Sequence, residues 1–295
     1  MDITKCNAPE VGICCVDDWY SYCCLIPNRI HINGEIFLEK DKCENCTIYN
    51  GYNLYNKNNG IQYLYIMLHN YCNAKCDMCD MCIKENKKYI TKYKEILHDK
   101  NLNSVQKVVI HGGETFLLEK ELLELIDFLS QKIKNKYANW YIITNGTIYN
   151  ENILKTLNKL NFNIIFSIDG FKNHNNMVRK GCDYNLIKNN WFLIKKNFKN
   201  CFLSINYTLH INNVNWFFED IKNMSIDLET KNISINYVTY PANISLLSLN
   251  KEDKKINNYL KDVIKFKKYL KWVNLNEDIT KKILIKILEM NIKWK

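Results

Sequence analysis

The stretch Ile61-Gln62-Tyr63-Leu64-Tyr65-Ile66-Met67-Leu68 is followed, after three residues, by Cys72-Asn73-Ala74-Lys75-Cys76-Asp77-Met78-Cys79. The first stretch is rich in aliphatic and aromatic residues and predicts a buried strand. The second places three thiols on one short loop with the spacing C-x3-C-x2-C. Three thiolates so arranged can ligate three irons of a cubane cluster and leave the fourth iron without a protein ligand. Because chemistry at a metal requires an open position, the spacing predicts a reactive iron–sulfur site.

Short apolar runs and longer helical patterns alternate from residue 61 to residue 240. Further strands are predicted at 105–110, 140–143, 162–168, 202–209 and 233–238, and helices at 87–100, 118–135, 150–160, 184–197 and 213–223. Strands separated by helices imply parallel strands joined by right-handed crossovers. The predicted fold class is therefore α/β, a partial (β/α)6 barrel that is TIM-like, with ligands at the carboxyl ends of the strands.

Short polar motifs follow three of these predicted strands, at the edge where a ligand would bind. They are His111-Gly112-Gly113-Glu114, Thr144-Asn145-Gly146 and Ser167-Ile168-Asp169-Gly170. Turn chemistry is the alternative explanation, because Gly, Asn and Asp are the usual turn residues. His111 is well placed for chemistry, although a histidine at a strand end is more often structural. The sequence singles out no general acid or base.

The first 60 residues differ from the rest and contain seven cysteines. Arg29–Ile32 and Glu35–Leu38 flank Asn33-Gly34, a strong hairpin signal because Asn-Gly favours a type I′ turn. Residues 1–60 are thus predicted to form a small Cys-rich N-terminal hairpin module that binds metal. Its candidate ligands are Cys23, Cys24, Cys43 and Cys46, with Cys6, Cys14 or Cys15 completing the set. Structural zinc and free thiols are both open alternatives.

The domain organisation predicted from these patterns has three parts. The module at 1–60 precedes a (β/α)6 core at 61–240, and a C-terminal helical extension occupies 241–295. That extension is expected to contain helices near 251–271 and 277–290. Cys182 and Cys201 stand apart from the other cysteines and are interpreted as core or near-core thiols.

The cysteine loop after the first core strand, together with Gly112-Gly113-Glu114 after the second, resembles the radical S-adenosylmethionine (radical SAM) superfamily over residues 61–240. The resemblance implies a 4Fe–4S cluster on Cys72, Cys76 and Cys79, with S-adenosylmethionine on the fourth iron. It also implies an enzyme that reductively cleaves S-adenosylmethionine to a 5′-deoxyadenosyl radical, which abstracts a substrate hydrogen. Met78 departs from the aromatic residue usual at its position, and Cys82 is interpreted as a bystander.

The same resemblance implies roles for individual residues. Gly112 and Gly113 would let the backbone approach the methionine moiety, and the Glu114 carboxylate would accept from its ammonium group. The strand-end residues expected to face ribose or substrate are Asn145, Ser167 and Asp169.

The segment from Asp169 to Arg179 is similar to the peptide-modifying (SPASM/twitch-type) branch, in which an arginine there often meets the cofactor carboxylate. Relatives in that branch often carry an auxiliary iron–sulfur module after the barrel. A similar pattern precedes the barrel here, which favours an auxiliary iron–sulfur cluster at the N-terminus over zinc.

The overall composition narrows the class of protein. The chain has 295 residues, a net charge of +10 and 13 cysteines. A disulfide framework suits short secreted chains, and this sequence shows no secretory signal and no apolar run long enough to span a membrane. A cytoplasmic enzyme is expected, acting on a peptide or protein substrate with a flavodoxin- or ferredoxin-like electron donor and no membrane.

Two other functions stay open at this point. Modification of a nucleotide or tRNA would suit the positive charge, although the lysines are dispersed along the chain. A non-enzymatic iron–sulfur or zinc protein that binds a partner or transfers electrons is the other alternative.

Overall fold

The computed structural model describes residues 12–16, 19–21, 61–79, 88–238 and 244. These residues fall into two compact units. The first unit contains the described residues up to Cys72, together with 88–143 and 150–163. The second contains 73–79, 144–149 and the residues from 164 onward.

Strands and helices alternate through most of the described chain. The strands are β1 (Gly12–Val16), β2 (Trp19–Ser21), β3 (Tyr63–Met67), β4 (Lys75–Cys76), β5 (Lys107–His111), β6 (Asn139–Thr144), β7 (Asn163–Ser167), β8 (Arg179–Lys180), β9 (Phe202–Leu209) and β10 (Ile233–Tyr237). The helices are α1 (Ile90–His98), α2 (Glu119–Lys132), α3 (Glu151–Lys159), α4 (Asn173–Val178), α5 (Tyr184–Asn197) and α6 (Phe217–Asp227), with a 3-10 turn at Thr115–Leu117.

A mainly parallel sheet forms the core of the first unit, with the strand order β6-β5-β3-β1-β2. Strand β5 is parallel to both β3 and β6, and β1 is parallel to β3, whereas β2 is antiparallel to β1. Val108, Val109 and Ile110 are consecutive buried residues of β5. A run that is apolar on both faces is typical of a strand covered by helices on both sides of a parallel sheet.

The second unit contains the strand order β10-β9-β7 and a separate two-stranded ribbon of β4 and β8. Strand β9 is parallel to β10, and its side chains alternate between buried and more exposed positions over all eight residues. The ribbon is antiparallel and places Cys76 opposite Arg179.

Local sequence signals explain where the helices begin. The Asn150 side chain accepts a hydrogen bond from the Ile153 N–H and caps α3, and the Asp183 side chain does the same for Leu186 in α5. Such caps satisfy backbone donors that have no partner within the helix. In α2, the buried residues recur at helical spacing: Leu122, Leu125, Ile126 and Leu129.

The structure confirms the predicted α/β class, since the predicted core strands and helices within 61–238 are present, with parallel pairing in the sheet. Helix α6 begins at Phe217 instead of 213. The reason is that the Asn213 side chain accepts from the His210 N–H and donates to the Thr208 carbonyl, which holds the preceding residues in a turn.

Several observed features were not predicted, and some predicted features fall on residues that the structure does not describe. Strands β1 and β2 join a sheet that was predicted to begin at residue 61, and α4 and the ribbon were also missed. The predicted hairpin at 29–38 and the C-terminal helices lie outside the described residues, so the three-part division stays a prediction. In the part of the chain that the structure describes, no helix is long and apolar enough to cross a bilayer.

Trp191 gives a test of the packing in the second unit. Its buried indole donates a hydrogen bond of 3.0 Å to the Leu228 carbonyl and packs edge-on against Phe166. We expect Trp191→Phe to lower the free energy of unfolding by about 1–3 kcal/mol, because it leaves a buried carbonyl without its donor. Urea denaturation measures this, and Phe192→Leu on the more exposed side of the same helix serves as control. An equal loss in both variants would contradict the expectation.

Candidate active site

In the first unit, Gly112 and Gly113 lie against the backbone that leads into Cys72. The Gly113 N–H donates to the His69 carbonyl at 2.8 Å, and the Glu114 N–H donates to the Tyr71 carbonyl at 2.6 Å. A Cβ added at Gly113 would lie 1.8 Å from the Tyr71 carbonyl oxygen, and one at Gly112 would lie 2.4 Å from that of His69. Glycine is therefore required here by the close approach of two backbone segments, which positions the first cysteine of the loop.

Glu114 is fully buried at the end of this glycine pair. One of its carboxylate oxygens accepts from the Phe116 N–H at 3.0 Å and caps the 3-10 turn. The predicted contact with the ammonium group of a methionine moiety stays a prediction. The Glu114 side chain thus has a local capping role, in addition to the predicted role in binding the ammonium group.

His69 is a buried residue of this region that the sequence interpretation missed. Its Nδ1 accepts from the Tyr71 N–H at 3.1 Å, which leaves the proton of the neutral ring on Nε2. Burial lowers the pKa of His69 to about 4, and it also lowers the pKa of His111 to about 4. Both rings are therefore neutral in the folded protein at neutral pH.

These two histidines predict acid sensitivity. Their folded-state pKa values lie below the unfolded value of 6.5, so the stability they support is present above pH 6.5 and is lost as the pH falls towards about 4. Each contributes a slope of at most about 1.4 kcal/mol per pH unit. We expect His69→Gln to flatten the fall in unfolding free energy between those pH values. The exposed His98 is the control, and a His98→Gln variant with the same flattening would contradict the assignment.

In the second unit, the ribbon of β4 and β8 fastens the cysteine loop to the segment around Arg179. The Asp77 N–H donates to the Val178 carbonyl at 2.9 Å, next to the register pair of Cys76 and Arg179. The Asp77 carboxylate accepts from Lys180 Nζ at 3.1 Å and from Asn212 Nδ2 at 3.0 Å. The loop is thus held by backbone and side-chain bonds before any cofactor is considered.

Arg179 and Asp169 form a buried ion pair beside Cys76. Arg179 Nε donates to Asp169 Oδ2 at 2.5 Å, and Arg179 Nη1 donates to Cys76 Sγ at 3.7 Å. Burial disfavours the charged guanidinium, but the Asp169 carboxylate and Cys76 favour it more strongly, so the pKa of Arg179 is raised. A permanent positive charge therefore lies next to one of the three predicted iron ligands.

Neighbouring strands hold the Asp169 carboxylate in place. Its Oδ1 accepts from the Thr208 N–H at 2.6 Å, at the end of β9, and its backbone carbonyl accepts from Asn213 Nδ2 at 3.1 Å. The Asp169 N–H donates to the Asn175 side chain at 3.1 Å. Since the carboxylate is fully buried, the bonds from the Thr208 N–H and from Arg179 compensate for the loss of its hydration, and the two backbone bonds fix the residue.

Asn145 connects the end of β6 to the cysteine loop within the second unit. Its Nδ2 donates to Asn73 Oδ1 at 2.8 Å, and its Oδ1 accepts from the backbone and hydroxyl of Thr147. Asn73 Nδ2 in turn donates to Thr147 Oγ1 at 2.8 Å. The amide of Asn145 thus orients residue 73 of the loop.

The surroundings of Cys76 favour the thiolate, which is the form that binds metal. A hydrogen bond from Cys182 is the largest cause that lowers the pKa of Cys76 to about 7. Burial acts in the opposite direction, and the charge of Arg179 adds to the lowering. Cys72 is half-buried and Cys79 is exposed, so these cysteines of the loop differ in their exposure to solvent.

The structure thus brings some of the predicted site residues together within each unit. Asp169, Arg179 and Cys76 form one hydrogen-bonded network of the second unit, and Asn145 is bonded to Asn73 of the cysteine loop. Ser167 is buried at the end of β7. Gly112, Gly113 and Glu114 adjoin the segment before Cys72 in the first unit. Outside the described residues lie Cys6, Cys23, Cys24, Cys43, Cys46 and Cys82.

Several residues of these networks were missed from the sequence. They are Asn73, Asp77, Cys182, His210 and Asn213. Asn73 and Asp77 stand inside the cysteine loop, so their position was a usable signal. No local pattern connects Cys182 or Asn213 to that loop, because their contacts depend on the crossing of distant segments.

Comparison with known proteins shows the family of the chain. The family model described as the radical SAM superfamily matches residues 66–224, more than half of the chain. A cysteine-type anaerobic sulfatase-maturating enzyme of Clostridium perfringens is 31% identical over 124 residues, which is 38% of this chain and 33% of that protein. The curated relatives that match are therefore covered over only 33–40% of their length.

Two solved structures share the fold. The native structure of anSMEcpe with bound AdoMet has a TM-score of 0.56 at 20% identity and covers 76% of this chain and 66% of its own. Streptococcus suis SuiB bound to its precursor peptide SuiA has a TM-score of 0.53 at 17% identity. The match covers 74% of this chain and 48% of the SuiB chain.

The chain belongs to the radical SAM superfamily. Its α/β fold is the fold that its solved neighbours share.

The buried ion pair gives a second test of the site. We expect Asp169→Asn to lower the free energy of unfolding by about 3–5 kcal/mol, because the Arg179 charge is left buried without its partner. Glu229→Gln is the matched control, since Glu229 pairs with Lys195 at an exposed position. That change is expected to cost about 0–1 kcal/mol. Chemical denaturation of the metal-free protein measures both variants. Similar losses of unfolding free energy in the two variants would contradict a special role of the Asp169–Arg179 pair in stability.

Proposed function

We propose that this enzyme holds a 4Fe–4S cluster on Cys72, Cys76 and Cys79 and uses it to cleave S-adenosylmethionine reductively. When bound, the cluster and S-adenosylmethionine together supply a 5′-deoxyadenosyl radical that abstracts a hydrogen atom from the substrate. The observation that carries the proposal is the C-x3-C-x2-C loop fastened by β4 and β8, with Arg179 directed at the Cys76 sulfur.

The residues present fit the cluster by their chemistry. Cys76 has a pKa lowered to about 7, first by the hydrogen bond from Cys182 and then, against burial, by the charge of Arg179. Thiolates are the ligands that iron–sulfur clusters take. A cationic neighbour offsets the negative charge that three thiolates bring to one loop.

For S-adenosylmethionine we propose the residues at the strand ends. Glu114 is a buried carboxylate suited to an ammonium group, and Gly112 and Gly113 directly precede it in the bend after β5. Arg179 is suited to a carboxylate, and Asn145, Ser167 and Asp169 would face ribose or substrate. Asp169 is bonded to Arg179, and Asn145 is bonded to Asn73, so their first role would be to orient Arg179 and the cysteine loop.

We further propose that the substrate is a peptide or protein side chain. Support comes from the relatives, since one is a sulfatase-maturating enzyme and SuiB was solved with its precursor peptide. The electron would come from a flavodoxin- or ferredoxin-like donor in the cytoplasm. The net charge of +10 suits the alternative of an RNA substrate.

Anaerobic reconstitution tests the central proposal. We expect the iron-loaded protein, given S-adenosylmethionine and dithionite, to form 5′-deoxyadenosine, detected by mass spectrometry. Cys76→Ala should reduce the yield at least about 100-fold, because an iron ligand is lost. Cys201→Ala, at a buried thiol away from the loop, should keep the wild-type yield.

A fully loaded and reducible wild-type cluster that gives no 5′-deoxyadenosine would contradict the proposal and favour an electron carrier. The substrate class is tested separately. Salt-sensitive RNA binding that stimulates turnover would replace the peptide by RNA, since phosphate contacts weaken steeply with salt.

The N-terminal cysteines are proposed to bind an auxiliary iron–sulfur cluster through Cys23 or Cys24 with Cys43 and Cys46. Elemental analysis separates the alternatives: about four irons per chain indicate one cluster, and about eight indicate two. Zinc at one equivalent with a single cluster would favour structural zinc instead. Cys43→Ala should lower only the second metal population and leave the cluster on the loop loaded.

A further inference from the structure

Two buried thiols lie among the described residues of the second unit, outside the proposed iron ligands. They are Cys182, which is 1% exposed, and Cys201, which is 8% exposed. Cys182 hydrogen-bonds to Cys76. For Cys201, burial alone accounts for a pKa raised to about 11. The sequence interpretation treated both as core thiols, but only Cys182 is in contact with the proposed cluster site.

The backbone holds Cys182 beside the loop by a close approach at Gly181. Gly181 has a φ of +92°, and a Cβ there would lie 2.8 Å from the Asn73 carbonyl oxygen. Because an ordinary residue would be both strained and crowded at this position, glycine lets the segment after β8 contact residue 73 of the cysteine loop.

Two further bonds keep Cys182 at that place. The Cys182 N–H donates to the Arg179 carbonyl at 2.9 Å, which closes a turn directly after β8. The Cys182 carbonyl accepts from Asn175 Nδ2 at 2.9 Å, and Asn175 is itself buried and bonded to the Asp169 N–H. The thiol is therefore fixed by the same network that holds Asp169 and Arg179.

We propose that Cys182 is a positioning residue of the cluster site, whose S–H group donates to the Cys76 sulfur and raises the reduction potential of the bound cluster. This inference rests on the proposed function, because it requires a cluster on Cys76.

The physical reason is the change of charge on reduction. The added electron increases the negative charge on the cluster and its sulfur ligands, and a donor to a ligand sulfur stabilises that form more than the oxidised one. Arg179 Nη1 is a second donor to the same sulfur, at 3.7 Å. Since Cys182 is almost fully buried, water cannot readily replace its S–H group once that is removed.

The test is the midpoint potential of the reconstituted cluster without S-adenosylmethionine, measured by a dithionite titration followed by electron paramagnetic resonance. Cys182→Val and Cys182→Ala remove the donor, and Val also keeps the side-chain volume close to that of Cys. Cys182→Ser keeps a hydroxyl donor. Cys201→Val and Cys201→Ser repeat the same changes at the isolated thiol.

We expect the Val and Ala variants at 182 to have a lower potential than wild type, and Ser to lie closer to wild type than either. Both Cys201 variants should keep the wild-type potential. Iron and sulfide contents should stay at the wild-type level, since a donor to a ligand tunes a cluster and is not needed to hold it.

Three results would overturn the inference. One is a potential in Cys182→Val that equals that of Cys201→Val, and another is an equal shift in Val and Ser, which would indicate packing. The third is loss of iron from all Cys182 variants, which would make Cys182 an iron ligand. If only the Cys182→Val variant fails to take up the cluster, the midpoint potentials of Cys182→Ala and Cys182→Ser are compared instead.

These outcomes are separate from failure of the proposed function. If that function is wrong, the wild-type protein itself takes up no 4Fe–4S cluster or forms no 5′-deoxyadenosine. If only the present inference is wrong, the wild type is loaded and active, and the potentials of the two cysteine series coincide.

Discussion

The arrangement of the second unit depends on one constraint, the antiparallel pairing of two residues in the middle of the cysteine loop with two residues after α4. This pairing sets Cys76 opposite Arg179, and Gly181 permits the approach because any side chain there would collide with the Asn73 carbonyl. A loop with three cysteines would otherwise be a flexible segment with thiols at undefined positions. The ribbon fixes the part of the loop around Cys76, and a thiol that is already fixed would bind metal with a smaller ordering cost.

A buried charge makes that arrangement both costly and specific. Arg179 is buried beside Asp169, and the carboxylate is satisfied by the Thr208 N–H as well as by the guanidinium. A buried ion pair contributes little net stability compared with apolar residues of the same size, but removal of one partner is strongly destabilising. The pair therefore serves to fix the position of a positive charge next to a thiolate. A cluster site on this loop would require such a charge, because its thiolate ligands would repel one another.

The core elements were predictable because each rests on a pattern short enough to read along the chain. The buried runs of β3 and β5, the helical spacing in α2 and the caps Asn150 and Asp183 all depend on residues within a few positions of one another. Strands β1 and β2 were not predicted, since strands of five and three residues are too short to show a clear alternation of apolar and polar residues. The pairing of β1 with β3 also joins segments that are distant in the sequence. The start of α6 was placed early for a related reason, because Asn213 makes its bonds with a preceding strand end instead of beginning a helix.

What the amino-acid sequence by itself determined is the class of fold and the chemistry of the loop, because strand and helix periodicity and the C-x3-C-x2-C spacing are local properties of the chain. The tertiary structure alone decided which groups surround those thiols. Arg179 and Cys182 lie more than a hundred residues from Cys76, and the glycine pair at 112–113 meets residues 69–71 through their backbones. Such contacts follow from how strands and connecting segments pack in three dimensions, and no short stretch of the sequence predicts them.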